Sequence, residues 1–221
     1  MKVLITAIFV ISVSSLFAQR GQCSCDNNQG MKGLIKCDTT ILMNASKLYW
    51  QFNCDSVWLT LENTNREKVS IDEVPIEKSQ YTYRLGYHLI KEFNKTLLFR
   101  SGCPATGPCV YTLVDKFNGN KLKVLPQLIC INTDIDIDNP KKYEFDFVVY
   151  LAENYENLIL YYVDKGTSCT IPMNEKLTYI VPEFQFTSMN ITDNILTIAY
   201  FIDGGLEKNI SVNLDDTKNC R

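Results

Sequence analysis

The sequence predicts an all-β protein of antiparallel meanders forming stacked sheets, β-sandwich-like, with a small four-bladed propeller-like repeat as the alternative. Three observations predict it. Short runs rich in Val, Ile, Tyr, Phe and Thr recur from residue 47 to the C-terminus. Turn chemistry separates them, as at Asn63-Thr-Asn65, Asn118-Gly119, Asp164-Lys-Gly166 and Asp203-Gly-Gly205. No long window keeps a helical apolar period, and the best helical stretch, residues 72–80, is broken by Pro75.

The strands read in order. Residues 47–52, 56–61 and 68–71 come first. Residues 81–85, 87–91, 96–100, 110–114, 121–125 and 128–131 follow. Residues 143–151, 157–163, 177–181, 184–187, 195–202 and 210–214 complete the chain. Lys121-Leu-Lys-Val124 alternates, which predicts a strand with one wet face. Leu158-Ile-Leu-Tyr-Tyr-Val163 is continuously apolar, which predicts a strand covered on both faces. A faint echo runs through strands opening at Ser56, Lys95, Asn157 and Asn194, spaced by 39, 62 and 37 residues. A repeat near this length is what successive propeller-like blades give, and a plain meander gives it too.

Residues 1–18 carry one Lys, an apolar stretch and a closing Ala18, the pattern of a secretory signal peptide. A detached N-terminal signal helix is expected there, with residues 19–221 as a single disulfide-containing β domain. The stretch is too short for a span, so no membrane insertion is expected after cleavage. The 46% hydrophobic content excludes a wholly disordered chain. A formal charge of −3 without a basic stripe argues against nucleic acid and against a polybasic membrane contact. Secreted or periplasmic location makes the nine Cys disulfide candidates, with at least one left over. Cys103 and Cys109 flank a Gly/Pro turn between two strands and predict a local bridge. Cys37 and Cys54 flank a hairpin and are a second candidate pair, and Cys220 is expected to tie back to Cys23 or Cys25.

His88 is the only histidine, which excludes a multi-histidine zinc site and leaves little for a Ser-His or Cys-His mechanism. No Gly-x-Ser-x-Gly elbow and no phosphate-binding Gly loop occur. No cofactor is expected. Asp134, Asp136 and Asp138 place oxygen ligands at alternate positions, a weak calcium candidate. Asn139 and Phe145 stand where a calcium loop needs Gly and Glu. Tyr81, Tyr83, Arg84, Tyr87, His88 and Arg100 form the most polar-aromatic stretch and are the candidate binding residues. Cross-strand packing of the tyrosines is the competing reading.

The Leu16-Phe-Ala-Gln19 signal end resembles exported proteins of Bacteroidota-type bacteria. Lys47-Leu-Tyr-Trp-Gln-Phe-Asn-Cys-Asp-Ser-Val-Trp-Leu-Thr-Leu-Glu62 is similar to a group of short secreted proteins from them. So is the stretch from Arg84-Leu-Gly-Tyr-His-Leu-Ile-Lys-Glu-Phe93 through Phe99-Arg-Ser-Gly-Cys103. The resemblance covers residues 37–125 and implies location, with no activity attached. The function expected is a secreted or periplasmic, β-rich, non-catalytic binding protein whose partner is a protein or a glycan. A secreted hydrolase using a carboxylate pair, acting on glycans, is the alternative.

Overall fold

A computed structural model describes residues 23–26, 35–81, 86–103, 108–130 and 143–220. The signal segment 1–18, Tyr83, Arg84 and the Asp134–Asp138 run lie outside the described residues. By internal packing the chain falls into two units, Met1–Thr82 and Tyr83–Arg221. The fold is all-β, and helical turns among the described residues are short 3-10 segments.

The first unit holds one antiparallel sheet. Its strands are β1 (Thr40–Ile41), β2 (Lys47–Phe52), β3 (Ser56–Glu62) and β4 (Lys68–Pro75), hydrogen-bonded in chain order. Leu48, Trp50 and Phe52 stand opposite Leu61, Leu59 and Val57, so every second residue builds one apolar face. The β2–β3 turn closes because the Asn53 side chain accepts the Asp55 and Ser56 N–H groups at 2.8 and 2.7 Å. On the polar face the Glu62 carboxylate accepts from Lys47 Nζ and Tyr49 Oη, each at 3.0 Å. Those hydrogen bonds, Lys47 first, hold its pKa below the usual carboxylate value.

The second unit holds three sheets. The first comprises β5 (His88–Glu92), β6 (Thr96–Gly102), β7 (Val110–Asp115) and β8 (Lys121–Pro126). Strands β9 (Phe147–Leu151), β10 (Asn157–Tyr162) and β11 (Thr167–Pro172) form the next. The last is β12 (Phe186–Thr192), β13 (Ile195–Ile202) and β14 (Leu206–Asn213). One core joins them: Leu98 and Leu113 from the first sheet, Val149 and Leu160 from the second, Leu196 and Ile198 from the third. Each sheet is a run of consecutive strands, whereas Greek-key sandwiches send strands from sheet to sheet. The four echo segments fall on β3, β6, β10 and β13, each an interior strand of its own sheet.

Residues 127–129 connect the first two of these sheets. Ile129 N–H donates to the Val149 carbonyl at 3.0 Å, Leu151 N–H donates to the Gln127 carbonyl at 3.2 Å, and Leu128 bridges Tyr150. The segment therefore covers the outer edge of β9.

Several local expectations need correction. Strand β10 buries only Leu158 and Leu160, and its other face is half-exposed. There Lys123 lays its ammonium over Tyr161, 4.1 Å from the ring centre, and Tyr150, at 5.3 Å. A long lysine on the edge strand covers aromatic surface and keeps its charge near water. For the same reason β8 turns Lys123 toward the Leu113 side and leaves Leu122 and Val124 exposed, the reverse of the simple alternation. Residues 177–181 are not a strand. The Gln185 side chain, rather than a neighbouring strand, takes the Thr178 and Tyr179 N–H groups, at 2.7 and 2.8 Å.

A buried lysine organises the opposite end of the unit. Lys116 is almost fully enclosed, pairs with Glu92 at 2.5 Å, and donates to the Phe93 and Asn94 carbonyls at 2.9 and 3.3 Å. Asp164, in the β10–β11 turn, accepts the Asn94 and Lys95 N–H groups, both at 3.3 Å. The β5–β6 turn is thus clamped between an ammonium and a carboxylate.

Cys103 joins Cys109 across the β6–β7 hairpin, with Cα atoms 4.2 Å apart. The Cys37–Cys54 pairing is corrected: Cys23 joins Cys54 and Cys25 joins Cys37. These bridges lie beside Ile35, Phe52 and Val57, because Cys23, Cys25 and Cys37 pack against the apolar face of the sheet. Cys220 joins Cys169, not Cys23 or Cys25. The C-terminal 3-10 turn docks there through Thr217, whose hydroxyl is 2.6 Å from that of Tyr162. Cys130 is free, and burial pushes its thiol up to about 12. Four disulfides mark an oxidising, extracytoplasmic compartment.

Two predictions follow from this packing. Lys116→Ala removes a buried ion pair and the donor to the two carbonyls, and should cost about 3–5 kcal/mol in urea unfolding of the full chain; a loss below about 1 kcal/mol would contradict the clamp. Peptide mapping of non-reduced protein should recover the four bridges above. Iodoacetamide at mildly alkaline pH should label Cys130 only after denaturation, since the thiolate is the reactive form.

Candidate functional site

The structure divides the residues singled out in the sequence. Tyr81 closes a 3-10 turn, Ile76–Tyr81, in the first unit. Tyr87, His88 and Arg100 belong to the second. Tyr87 is buried against Phe99, ring centres 5.4 Å apart, with Lys121 Nζ 5.2 Å from its own ring centre. It is a packing aromatic. His88 on β5 stands opposite Arg100 on β6, which stands opposite Tyr111 on β7. Arg100 is buried, so it does not present a guanidinium to an external ligand.

Arg100 belongs instead to an interior polar group. Tyr111 is buried, and desolvation drives its pKa well above the ordinary phenol value, with Arg100 pulling it back and Glu183 pushing it further up. Glu183 lies in the 3-10 turn Pro182–Gln185 and is buried. Burial raises its pKa, opposed by hydrogen bonds from its own N–H and from that of Cys109. The Cys109 contact ties this turn to the start of β7. The group is buried within the unit, with Tyr111 Oη and Glu183 Oε2 lacking hydrogen-bond partners among the described residues.

A cleft of about 820 Å³ opens among the described residues of this unit. Four chain segments that are distant in sequence line it: Pro108 before β7, Gln127 at the handover between sheets, the β9–β10 turn Asn154–Asn157, and the stretch Met173–Pro182. The β9–β10 turn forms because Tyr155 N–H donates to the Ala152 carbonyl at 3.0 Å and the Asn154 side chain accepts Glu156 N–H at 3.1 Å. Tyr155 takes the left-handed backbone conformation there, φ 56°. Gln127 has the same φ, and its Nε2 donates to the Tyr155 hydroxyl at 2.8 Å. Tyr155 and Tyr179 are half-exposed in the cleft, and Ile180 is fully so. Glu156 and Glu175 also line it, together with Lys176.

Sequence reasoning missed Gln127, Tyr155 and Tyr179. The one local signal was the break at Pro126-Gln127 between two strand-like runs. Among the described residues no group of three or more His, Cys, Asp or Glu side chains is placed to hold a metal ion. No helix among them is long and apolar enough to cross a membrane.

The Glu183 environment makes a pH prediction. A carboxyl with a raised pKa in the folded state holds its proton where the unfolded chain has released it. Stability therefore falls as pH rises from about 4.5 through the raised value. Glu183→Gln should flatten that part of the melting-temperature profile; an unchanged slope would show that another group carries it. A scan against protein-family models and a search of curated proteins both return no match to this chain.

Proposed function

We propose that the chain is a secreted or periplasmic binding protein without catalytic chemistry, and that the cleft of the second unit is its ligand site. The cleft carries this reading. Its volume lies within the range of small-ligand pockets, and its wall mixes half-exposed aromatic rings with convergent polar groups. The four disulfides and the signal-like leader support the location. The hydrolase alternative draws on Glu156 and Glu175, which both line the cleft. Each is already engaged: Glu156 accepts from the Asn154 amide at 3.3 Å, and Glu175 stands 3.9 Å from Lys208 Nζ. The carboxyl with the raised pKa, Glu183, is packed inside the neighbouring turn.

The test is a titration of isotope-labelled protein with a library of small polar and aromatic fragments, followed by NMR. Shifts concentrated in residues 152–157 and 173–182 are expected. Shifts absent there would overturn the site. In parallel, chromogenic glycosides and polysaccharides should pass through unhydrolysed. Turnover that Glu156→Gln or Glu175→Gln abolishes would replace the binding reading with the hydrolase.

A further inference from the structure

We propose that one wall of the cleft is a pH-operated latch: residues 180–184 are docked on the start of β7 while the Glu183 carboxyl is neutral, and they come away when it ionises. That this movement regulates ligand binding rests on the cleft being the ligand site; the movement itself does not. The wall at residues 173–181 is not a strand, and side chains fix it instead. Gln185 is wholly enclosed, accepts the Thr178 and Tyr179 N–H groups at 2.7 and 2.8 Å, and donates to the Phe201 carbonyl at 2.7 Å. Residues 178–179 are thereby tied to β13. Glu183 is also buried, and its carboxyl accepts the Cys109 N–H, which ties the Pro182–Gln185 turn to β7. Between these anchors the chain turns apolar residues outward: Ile180 is 96% exposed, and Tyr179 and Phe184 are about half-exposed. A segment with few buried contacts opens at low cost. Pro182 precedes Glu183 and Pro108 precedes Cys109, and both prolines line the cleft. The Glu183–Cys109 contact therefore joins two of the four segments that line it.

The surroundings of the carboxyl set its response. Glu183 Oε2 is enclosed and has no hydrogen-bond partner among the described residues. A neutral carboxyl tolerates that better than a carboxylate, which loses hydration there that no donor replaces. Burial is accordingly the main influence and raises the pKa, while its own N–H and that of Cys109 offset only part of the effect. The elements packed on the turn bring phenols rather than cations. β12 carries no ionisable side chain, β13 carries Tyr200, and β7 presents Tyr111. Both phenols have raised pKa values and stay neutral as Glu183 titrates. Arg100 acts on Tyr111, and Glu175 acts on Tyr200. His88 stands opposite Arg100, and histidine ordinarily changes charge between about pH 5 and 8, so it needs a control. Once the turn is undocked, the Glu183 carboxyl meets water and titrates at its ordinary value. The open fraction therefore grows as pH rises from about 4.5, by up to about tenfold per pH unit, and levels off above the raised value. The wall is held most firmly in acid and loosens toward neutral pH.

Amide hydrogen exchange by NMR, on the full chain labelled also at the glutamate carboxyl carbons, tests the latch from about pH 4.5 to 8. Cys109 N–H donates to Glu183, and Phe184 N–H donates to the Val181 carbonyl at 3.1 Å inside the docked turn. With intrinsic exchange rates divided out, protection of these two amides should fall by about tenfold per pH unit up to the midpoint at which the Glu183 carboxyl titrates. Thr178 and Tyr179, held by Gln185, should keep theirs. Glu183→Gln should keep Cys109 and Phe184 protected throughout, and His88→Asn should behave as wild type. If Glu183→Gln does not fold, coincidence of the carboxyl and amide midpoints in the wild type decides the matter. Protection that ignores pH overturns the latch. So does a transition kept by Glu183→Gln or lost in His88→Asn, or a loss shared equally by the amides of β7 and β13. Fragments that mark the cleft should bind more tightly at about pH 5 than at about pH 8, and equally at both in Glu183→Gln. Fragments in the cleft without an amide transition leave the ligand site standing and remove the latch. A transition without any fragment in the cleft does the reverse. Fragment affinity that ignores the transition overturns the regulatory role.

Discussion

Residues 127–129 leave the sheet of β8 and pair with β9, and the second unit depends on that handover. Three-stranded sheets of short strands have exposed edges and faces that water would otherwise solvate. The chain covers the outer edge of β9 with its own next residues, through Leu151 N–H to the Gln127 carbonyl and Ile129 N–H to the Val149 carbonyl. The handover demands a sharp change of direction just after Pro126. Gln127 makes it with φ 56°, and Cys130 makes the next with φ 54°. One consequence is a shared core in which Leu125 and Leu128 join Val148, Val149 and Leu160. Another is that the side chain of Gln127 is left at the joint, against the β9–β10 turn, where the cleft opens.

The far end of the same sheets is secured by charge rather than by strand pairing. Lys116 is dehydrated, and an ammonium in that position is tolerable only with a counter-charge and several acceptors. Glu92 supplies the first, and the Phe93 and Asn94 carbonyls supply the others. Asp164 then takes the N–H groups of the same turn, which links the first sheet to the second. Backbone groups at a tight turn need partners, and here two side chains from different turns provide them on both sides.

Much of this architecture is legible in the sequence where the signal is local. Strand runs, Asn and Asp turns, and the echo that lands on β3, β6, β10 and β13 all come from short-range chemistry. The Cys103–Cys109 pair is of the same kind, since a hairpin sets the distance. The other bridges join segments 12 to 51 residues apart, and cysteine spacing carries no information on which of them fold together. Lys123 misleads by length: its stem packs on tyrosines while its position in the alternation reads as wet. Arg100 misleads by charge, because burial inside a polar group is invisible until Tyr111 and Glu183 are placed beside it. The cleft is drawn from four separate segments, none of which carries a motif, so its lining is a product of the fold alone.

Left-handed backbone is not by itself a mark of function in this chain. Ala45 and Arg66 adopt it in ordinary turns, where Ala45 N–H and Arg66 N–H close on the Leu42 and Asn63 carbonyls. Each such residue costs on the order of 1 kcal/mol and is held in place by its turn. Side-chain satisfaction separates Gln127 from them. Gln185 shows how the same fold treats a buried glutamine whose role is structural. It is wholly enclosed, its Oε1 accepts two N–H groups, and its Nε2 donates to the Phe201 carbonyl at 2.7 Å. Every end of that amide is used, and the loop at 178–179 is held by it. Gln127 is nearly as buried, and its enclosed Oε1 has no partner among the described residues. An apolar residue of similar length would remove a penalty of about 1–3 kcal/mol at that position. The same unit leaves Thr96 Oγ1, Tyr111 Oη and Glu183 Oε2 without partners among the described residues as well, so the unmet polar demand lies in the interior beside β6, β7 and the Pro182–Gln185 turn as much as at Gln127.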